Sequence, residues 1–177
     1  EPDFSPVSTG WGRLDQYAML FYPSFAVITG FAGTGKTTFA NQLVAQAAMQ
    51  HGWRAAIASY EMRIRPFVTD TLRATYLNKP KHYWTSGDVI AADSWIEDHI
   101  VFIAPDMEEQ ENDTNDLDWL LERAAAAVIR HGIRMLVIDP WNEVEHSRRP
   151  GESLTEYTGR AIRAIKKFGR RFDVAVI

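Results

Sequence analysis

Apolar residues along the chain alternate between short runs and longer stretches with helical spacing. The short runs are rich in Val, Ile and Ala and predict strands at 25–29, 55–60, 100–104, 134–139 and 173–177. Apolar residues three and four positions apart predict helices at 36–51, 66–77, 86–98, 117–131 and 154–169. Strands that alternate with helices are typical of a mostly parallel sheet covered by helices, so the predicted fold class is α/β.

Residues with special backbone preferences mark the ends of these helices. Gly52 and Gly132 follow the first and fourth helices, where glycine favours termination. Pro66 is expected in the first turn of the second helix, and Ser86 is expected to cap the third. Turn residues therefore support the boundaries that the apolar pattern predicts.

Length and composition bound the domain organisation. The 177 residues, 46% of them hydrophobic, suffice for one domain, with 1–24 as a lead-in segment and 25–177 as the core. No apolar run is long enough to cross a membrane, and no signal peptide is recognisable. The absence of cysteine excludes disulfides and fits a cytoplasmic protein. Because the chain opens without Met, we expect it to be a segment of a longer protein.

The net charge restricts the classes of partner. A formal charge of −4 argues against a generally basic surface that coats nucleic acid. Any contact with nucleic acid is therefore expected to be local. The five histidines lack the spacing of metal ligands.

Residues 30–37 read Gly-Phe-Ala-Gly-Thr-Gly-Lys-Thr, a complete phosphate-binding loop (G-x-x-x-x-G-K-[ST]) between a predicted strand and a predicted helix. In such loops backbone N–H groups and the helix N-terminus bind phosphates. Lys36 is expected to reach the β- and γ-phosphates, and the Thr37 hydroxyl to ligate Mg²⁺. The predicted ATP-binding residues are Gly30, Ala32, Gly33, Thr34, Gly35, Lys36, Thr37 and Thr38.

Asp139 ends the fourth predicted strand after four apolar residues, which is the Walker B pattern. The carboxyl ends of parallel strands face the ligand crevice, so Asp139 is expected to hold Mg²⁺ opposite Thr37. ATP hydrolysis also needs a carboxylate that activates water. Pro140 follows Asp139 directly, so this acid must come from elsewhere. Glu61, at the end of the second strand, is the first candidate; Glu143 and Glu145 are the alternatives.

Four stretches of the chain resemble the replicative hexameric helicases of the DnaB and Twinkle type, which are RecA-like ATPases. They are Ser-Thr-Gly-Trp-Gly-Arg-Leu-Asp at 8–15, the phosphate loop through Thr38, Ala-Ser-Tyr-Glu-Met at 58–62, and the Walker B segment at 135–143. The Ser-Tyr-Glu-Met placement discriminates best among ATPases. The last segment is similar to that of bacterial and phage primase-helicases.

The resemblance implies a RecA-like core that hydrolyses MgATP between subunits of a homo-oligomeric, hexameric ring and moves along single-stranded DNA during replication. It implies that Glu61 is the catalytic glutamate and that Lys36 contacts the reacting phosphates. The sensor residue and arginine finger of the family would lie beyond Ile177, so the core is expected to be truncated at its C-terminus. A primase domain in the same parent chain is a further implication.

Candidate DNA contacts lie in the loop after Asp139. Arg148 and Arg149 stand beside Pro-Gly, where they can present two cations to phosphates. The following helix is rich in Lys and Arg, which we interpret from the sequence as a solvated face.

Other functions stay open. A recombinase or clock-type RecA relative would hydrolyse ATP and assemble without unwinding DNA. A nucleotide-gated assembly module would bind ATP without needing hydrolysis. A small-molecule kinase is the weakest alternative, because the segment from 64 to 98 offers only Arg65 and Arg73 for a lid.

Overall fold

The computed structural model describes residues 5–60, 64–104, 116–141, 144 and 147–177. Five strands form one parallel sheet: β1 (Ser24–Phe25), β2 (Ala55–Ser59), β3 (Ile100–Ile103), β4 (Met135–Asp139) and β5 (Ala175–Val176). Their order across the sheet is β1-β5-β4-β2-β3, and every pairing is parallel. The predicted α/β class is confirmed.

The connections between strands contain the predicted helices. They are α1 (Lys36–His51), α2 (Thr69–Leu77), α3 (Ser86–His99), α4 (Leu117–His131) and α5 (Leu154–Phe172). A kinked segment, Ile64–Val68, in which Arg65 has extended backbone angles, precedes α2, and a short 3-10 helix, Lys81–Tyr83, precedes α3. Most predicted boundaries lie within a few residues of these bounds.

The helices cover both faces of the sheet. Residues of alternate parity on each strand point to opposite sides, as the period of a β-strand requires. Ile57 and Val137 pack with buried residues of α1, α2 and α3, whereas Ala56 and Leu136 pack with those of α4 and α5. Because both faces are buried, the strands are almost entirely apolar.

β5 lies between the strand that leads to the phosphate loop and the strand that ends in Asp139. Ala175 is in register with Ser24 on one side and with Met135 on the other. On the far side of β4, Ser59 is in register with Asp139. The two predicted halves of the nucleotide site therefore belong to strands that are not neighbours.

The first strand is shorter than the sequence predicts. Its ladder ends with the hydrogen bond from the Ala26 backbone N–H to the Val176 carbonyl (2.9 Å), and Val27 is 72% exposed. Its neighbour β5 ends at Val176, one residue before the end of the sequence.

The start of α3 also differs from the prediction. Thr85, not Ser86, is the N-cap, and its hydroxyl accepts a hydrogen bond from the Asp88 backbone N–H (3.2 Å). The Asp88 carboxylate in turn accepts from the Thr85 N–H (2.8 Å), which completes a capping box. An acidic partner three residues later decides between the two adjacent hydroxyl residues.

The described part of the lead-in segment packs against α1. The Asp15 carboxylate accepts hydrogen bonds from the Ser8 hydroxyl and from both the N–H (2.7 Å) and hydroxyl (2.6 Å) of Thr9. These bonds, that from Ser8 first, lower the pKa of Asp15. The Trp11 ring stacks on Phe39 of α1 with centroids 5.6 Å apart. The segment is thereby joined to the helix that carries the phosphate loop.

Candidate functional site

Glycines shape the loop between β1 and α1. Gly33 and Gly35 have φ values of 75° and 89°, in the left-handed region that residues with a Cβ rarely adopt. A Cβ on Gly30 would lie 3.1 Å from the Thr34 hydroxyl oxygen. The Thr34 hydroxyl donates to the Phe31 carbonyl (2.8 Å) and closes the turn. The predicted phosphate-loop residues from Gly30 to Gly35 are all exposed.

The N-terminus of α1 has no side-chain cap. Its N-cap is Gly35, no side chain accepts from its first N–H groups, and its first turn contains no acidic residue. The first N–H groups of a helix lack intrahelical acceptors and carry a partial positive charge. An anion at this position would satisfy both, so the loop has the properties of a phosphate site.

The Lys36 ammonium folds back over the loop. Its Nζ donates to the carbonyl oxygens of Gly30 (3.0 Å) and Phe31 (2.9 Å). These neutral acceptors hold the charge at the loop, where phosphate oxygens would be stronger, charge-assisted partners.

Asp139 stands at the carboxyl edge of the sheet, as the sequence predicts, and it is half-buried. Its backbone carbonyl accepts from the Tyr60 N–H (3.2 Å), which aligns the exits of β2 and β4. Within the described ranges, no hydrogen bond or salt bridge engages its carboxylate. The carboxylate is therefore available to a cation.

Lys36 and Asp139 line the same cavity, of about 360 Å³, although β5 separates the strands that lead to them. The remaining lining is mostly apolar and includes Val27, Ile138 and Ile177. The glycines of the phosphate loop do not line it. The cavity therefore adjoins the phosphate loop through Lys36 and does not include the glycines of the loop.

The donors present fit a Mg²⁺ ion. The Thr37 hydroxyl, in the first turn of α1, and the Asp139 carboxylate are hard oxygen ligands. The described residues contain no cluster of three or more His, Asp or Glu side chains that would form a complete protein cage. Mg²⁺ typically binds through one or two protein ligands together with phosphates and water, so a sparse donor set is sufficient.

The three candidates for the water-activating carboxylate, Glu61, Glu143 and Glu145, lie outside the described residues. The residue before Glu61, Tyr60, is described and is hydrogen-bonded to the backbone of Asp139. Burial, with a smaller effect from Asp116, raises the pKa of Tyr60 to about 12. Its hydroxyl is buried without a hydrogen-bond partner among the described residues, a feature for which the sequence carries no signal.

The loop with the candidate DNA-binding arginines is attached to α5. Arg148 and Arg149 are exposed. Arg160 donates to both carboxylate oxygens of Glu152 (2.9 Å each) and to the Ser147 carbonyl (3.1 Å). The Arg160 guanidinium and the Arg149 N–H lower the pKa of Glu152 to about 2. The sequence does not predict this pair, because Glu152 lies before the helix and the helical spacing rule for charge pairs does not apply to it.

No helix in the described part of the chain has the length and apolar composition needed to span a membrane.

Comparison with known proteins agrees with this geometry. The chain matches the DnaB-like helicase C-terminal domain family over residues 6–177. It is 32% identical over 179 residues to the chloroplastic/mitochondrial Twinkle homolog protein of Arabidopsis thaliana, covering 96% of this chain and 24% of that protein. The chain thus spans about a quarter of that relative.

Solved structures share the fold. One solved ATPase domain superposes with a TM-score of 0.71 at 19% identity, covering all of this chain and 64% of that one. A DnaB-like replicative helicase, described together with its interactions with primase, superposes with a TM-score of 0.72 at 18% identity, covering all of this chain and 44% of that one. At these identities the likeness establishes the fold alone. The family match over residues 6–177 establishes more: this chain belongs to the DnaB-like helicase C-terminal domain family, whose RecA-like cores are those of ATP-dependent helicases.

Proposed function

We propose that this chain is the motor domain of an ATP-dependent DNA helicase, which binds and hydrolyses MgATP between subunits of a ring and moves along single-stranded DNA. The observation that carries the proposal is the start of α1. A glycine loop, a helix N-terminus without a side-chain cap and an ammonium group meet there, at the sheet edge that also presents Asp139.

In this proposal the phosphates of ATP occupy the loop from Gly30 to Gly35. Backbone N–H groups at the start of α1 donate to phosphate oxygens, and Lys36 exchanges two carbonyl contacts for the β- and γ-phosphates. Thr37 and Asp139 hold the Mg²⁺ ion, whose charge offsets that of the phosphates when it is bound. In the described structure, Lys36 contacts only neutral carbonyl oxygens, and no side chain accepts from the N–H groups at the start of α1.

Glu61 is proposed as the residue that orients and deprotonates the attacking water. Support comes from its neighbour: the backbone bond between Tyr60 and Asp139 brings the chain to the correct edge of the sheet immediately before Glu61. The resemblance of residues 58–62 to the helicase family adds the residue type. Glu143 and Glu145 remain the alternatives.

Ring assembly and DNA contact are proposed from the family. Arg148 and Arg149 are exposed on a loop at the Asp139 edge and are the proposed contacts for the DNA backbone. The structural relative described with primase supports a primase domain or partner for the parent protein. The absence of cysteine supports a cytoplasmic location, whereas the matched plant relative is named as chloroplastic/mitochondrial.

The decisive experiment is ATP turnover with and without oligothymidine, measured on this chain and on any longer polypeptide that its gene encodes. We expect single strands to stimulate turnover. The Glu61→Gln variant should still bind ATP and lose turnover, since only the water-activating carboxylate is removed. An unwinding assay on a forked duplex then tests the motor directly.

Two results would favour the alternatives. Turnover that is indifferent to DNA would favour a RecA relative that acts in recombination or signalling. Tight ATP binding together with a fully active Glu61→Gln protein in the cell would favour a nucleotide-gated assembly module.

A further inference from the structure

The solvent-facing side of α5 carries only cations over its last three turns. Tyr157, Ala161, Ile165 and Phe168 face the core. The exposed residues from Gly159 onward within the helix are Arg163, Lys166, Lys167, Arg170 and Arg171, which we call the α5 stripe. No acidic residue lies in the helix after Glu156. In a chain with a net charge of −4, this is a marked local concentration of positive charge.

The spacing of the stripe places like charges side by side. Five of its pairs lie three or four residues apart: 163 with 166, 163 with 167, 166 with 170, 167 with 170, and 167 with 171. Like-charged pairs at these separations destabilise a helix. Arg170 and Arg171, in the last turn, are favoured by the helix dipole, but Arg163, Lys166 and Lys167 lie too far from the end.

Three cations near α2 and α3 differ from the stripe in that they are paired with acids. Arg73, Lys79 and Lys81 near α2 and α3 are each in a salt bridge with an aspartate. Across the residues that the structure describes, no member of the α5 stripe is in a salt bridge. The Lys166 Nζ lies 5.3 Å from the centroid of the Phe25 ring, and the Arg171 Cζ lies 5.3 Å from that of the Phe172 ring. These two exposed side chains therefore each contact an aromatic ring.

The chemistry of the face identifies the kind of anion. A protein interface normally centres on apolar or aromatic anchors. No large apolar residue of α5 after Leu154 is exposed, so the stripe offers charge without such an anchor. A polyphosphate backbone needs only a row of cations, and single strands bind along positively charged tracks. From residue 163 to 171 the row is about 12 Å long, at 1.5 Å per residue.

We propose that the α5 stripe binds the phosphate backbone of single-stranded nucleic acid, in addition to the loop of Arg148 and Arg149. The same helix anchors that loop through the Arg160–Glu152 pair, so a strand held at the loop can continue along α5. The inference rests on the proposed function for its ligand, single-stranded DNA.

The test is the salt dependence of binding to a fluorescent 20-residue oligothymidine. The stripe variant is Arg163→Gln, Lys167→Gln and Arg170→Gln, because these three residues make no packed ring contact and Gln favours helix. Loss of three phosphate contacts should reduce the slope of log K against log salt by about 2, at about 0.7 per contact for single strands. Affinity at low salt should fall in parallel.

The matched control removes the same charge elsewhere. Arg13→Gln, Arg65→Gln and Arg130→Gln alter three exposed arginines outside α5 and its loop. The control should keep the wild-type slope. Circular dichroism of all three proteins establishes that they are folded.

Several outcomes would overturn the inference: equal slopes for the stripe and control variants, no binding of oligothymidine by the wild-type chain, or equal competition by polyglutamate, which would indicate an acidic protein partner. ATP turnover measured on the same proteins separates the two proposals. If the stripe variant keeps both its slope and its DNA-stimulated turnover, the stripe is refuted and the helicase proposal stands.

Discussion

The first turns of α1 and α5 differ in whether a side chain accepts hydrogen bonds from the first backbone N–H groups of the helix. At α5 the Ser153 hydroxyl accepts from the Glu156 N–H (3.2 Å), and the Glu156 carboxylate accepts from the Ser153 N–H (2.9 Å). At α1 the N-cap is Gly35, and no side chain provides an acceptor. A side chain at the N-cap can accept hydrogen bonds from the first N–H groups of a helix, as at α5. Where no side chain does so, as at α1, these N–H groups can donate to an anion.

The same contrast extends to α3 and α4, whose starts are capped by Thr85 and Asp116. Of the five helices, α1 and α2 begin without a side-chain cap, but α2 follows Val68, which already has helical backbone angles. By contrast, α1 follows the glycine loop. In the proposed function, an anion bound at the loop supplies the acceptors that the start of α1 lacks.

Removing the ammonium at α1 should have the largest effect on ligand binding. Lys36→Ala removes a charge-assisted phosphate contact worth about 1.5–3 kcal/mol, so the Kd for ATP should rise by about 10- to 150-fold. Isothermal titration calorimetry measures it. Lys79→Ala, a lysine paired with Asp88 at the start of α3, is the control and should bind ATP normally. An unchanged Kd for the Lys36 variant would refute the phosphate-site assignment.

Adding a side-chain cap to α1 tests whether its first N–H groups bind the phosphates of ATP. Gly35→Asp places a carboxylate at the N-cap, where it competes with phosphate for the same N–H groups and repels its charge. We expect ATP affinity to fall at least tenfold. Gly35→Ala is the control, because it imposes a similar backbone cost at φ 89° without the acceptor. Equal losses in the two variants would attribute the effect to the backbone and not to the cap.

Removing the cap at α5 should change stability and leave ATP binding intact. Ser153→Ala deletes the hydroxyl acceptor and should lower the free energy of unfolding by about 1 kcal/mol. Urea denaturation measures it, and Ser153→Asp, which preserves a capping acceptor, should recover much of the loss. A weaker ATP affinity for Ser153→Ala would show that the two helix starts are coupled, contrary to this comparison.

Lowering the pH should weaken the caps of α3 and α5, which contain carboxylates, and should leave the start of α1 unchanged. The pKa of Asp88 falls from 3.8 to about 2, through Lys79 and then Thr85, and hydrogen bonds from Ser153 lower the pKa of Glu156. Because the folded pKa values lie below the unfolded ones, the carboxylates stabilise the fold above about pH 4–5, and this contribution is lost as the pH falls toward 2.

Urea midpoints at pH 5, 4 and 3 measure this loss. The decline should be smaller in the Asp88→Asn, Glu156→Gln protein, which has lost the titrating groups. A double variant as acid-sensitive as the wild type would contradict the assignment. At α1 no titrating cap exists, since its first turn contains no acid.

Local chemistry was sufficient for much of this molecule. Glycines at 33 and 35, a Lys-Thr pair at the helix start and an apolar run on either side predict the phosphate loop and its place between a strand and a helix. The start of α3 marks the limit: two adjacent hydroxyl residues compete, and the reciprocal bond of Asp88 selects Thr85. The choice of N-cap depends on contacts within a single helical turn, but the preference of Ser and Thr for this position does not decide between the two residues.

The sequence by itself determined the alternation of strands and helices, the phosphate loop and the acid that ends β4, because these depend on contacts between near neighbours in the chain. Only the tertiary structure decided that β5 lies between β1 and β4, that Lys36 and Asp139 still line one cavity, and that Arg160 fixes the loop at Glu152. The physical reason is that strands buried on both faces are apolar whatever strands flank them, so their pattern does not encode their order. That order depends on backbone pairing between distant segments, which in turn places the charged side chains at the edge of the sheet.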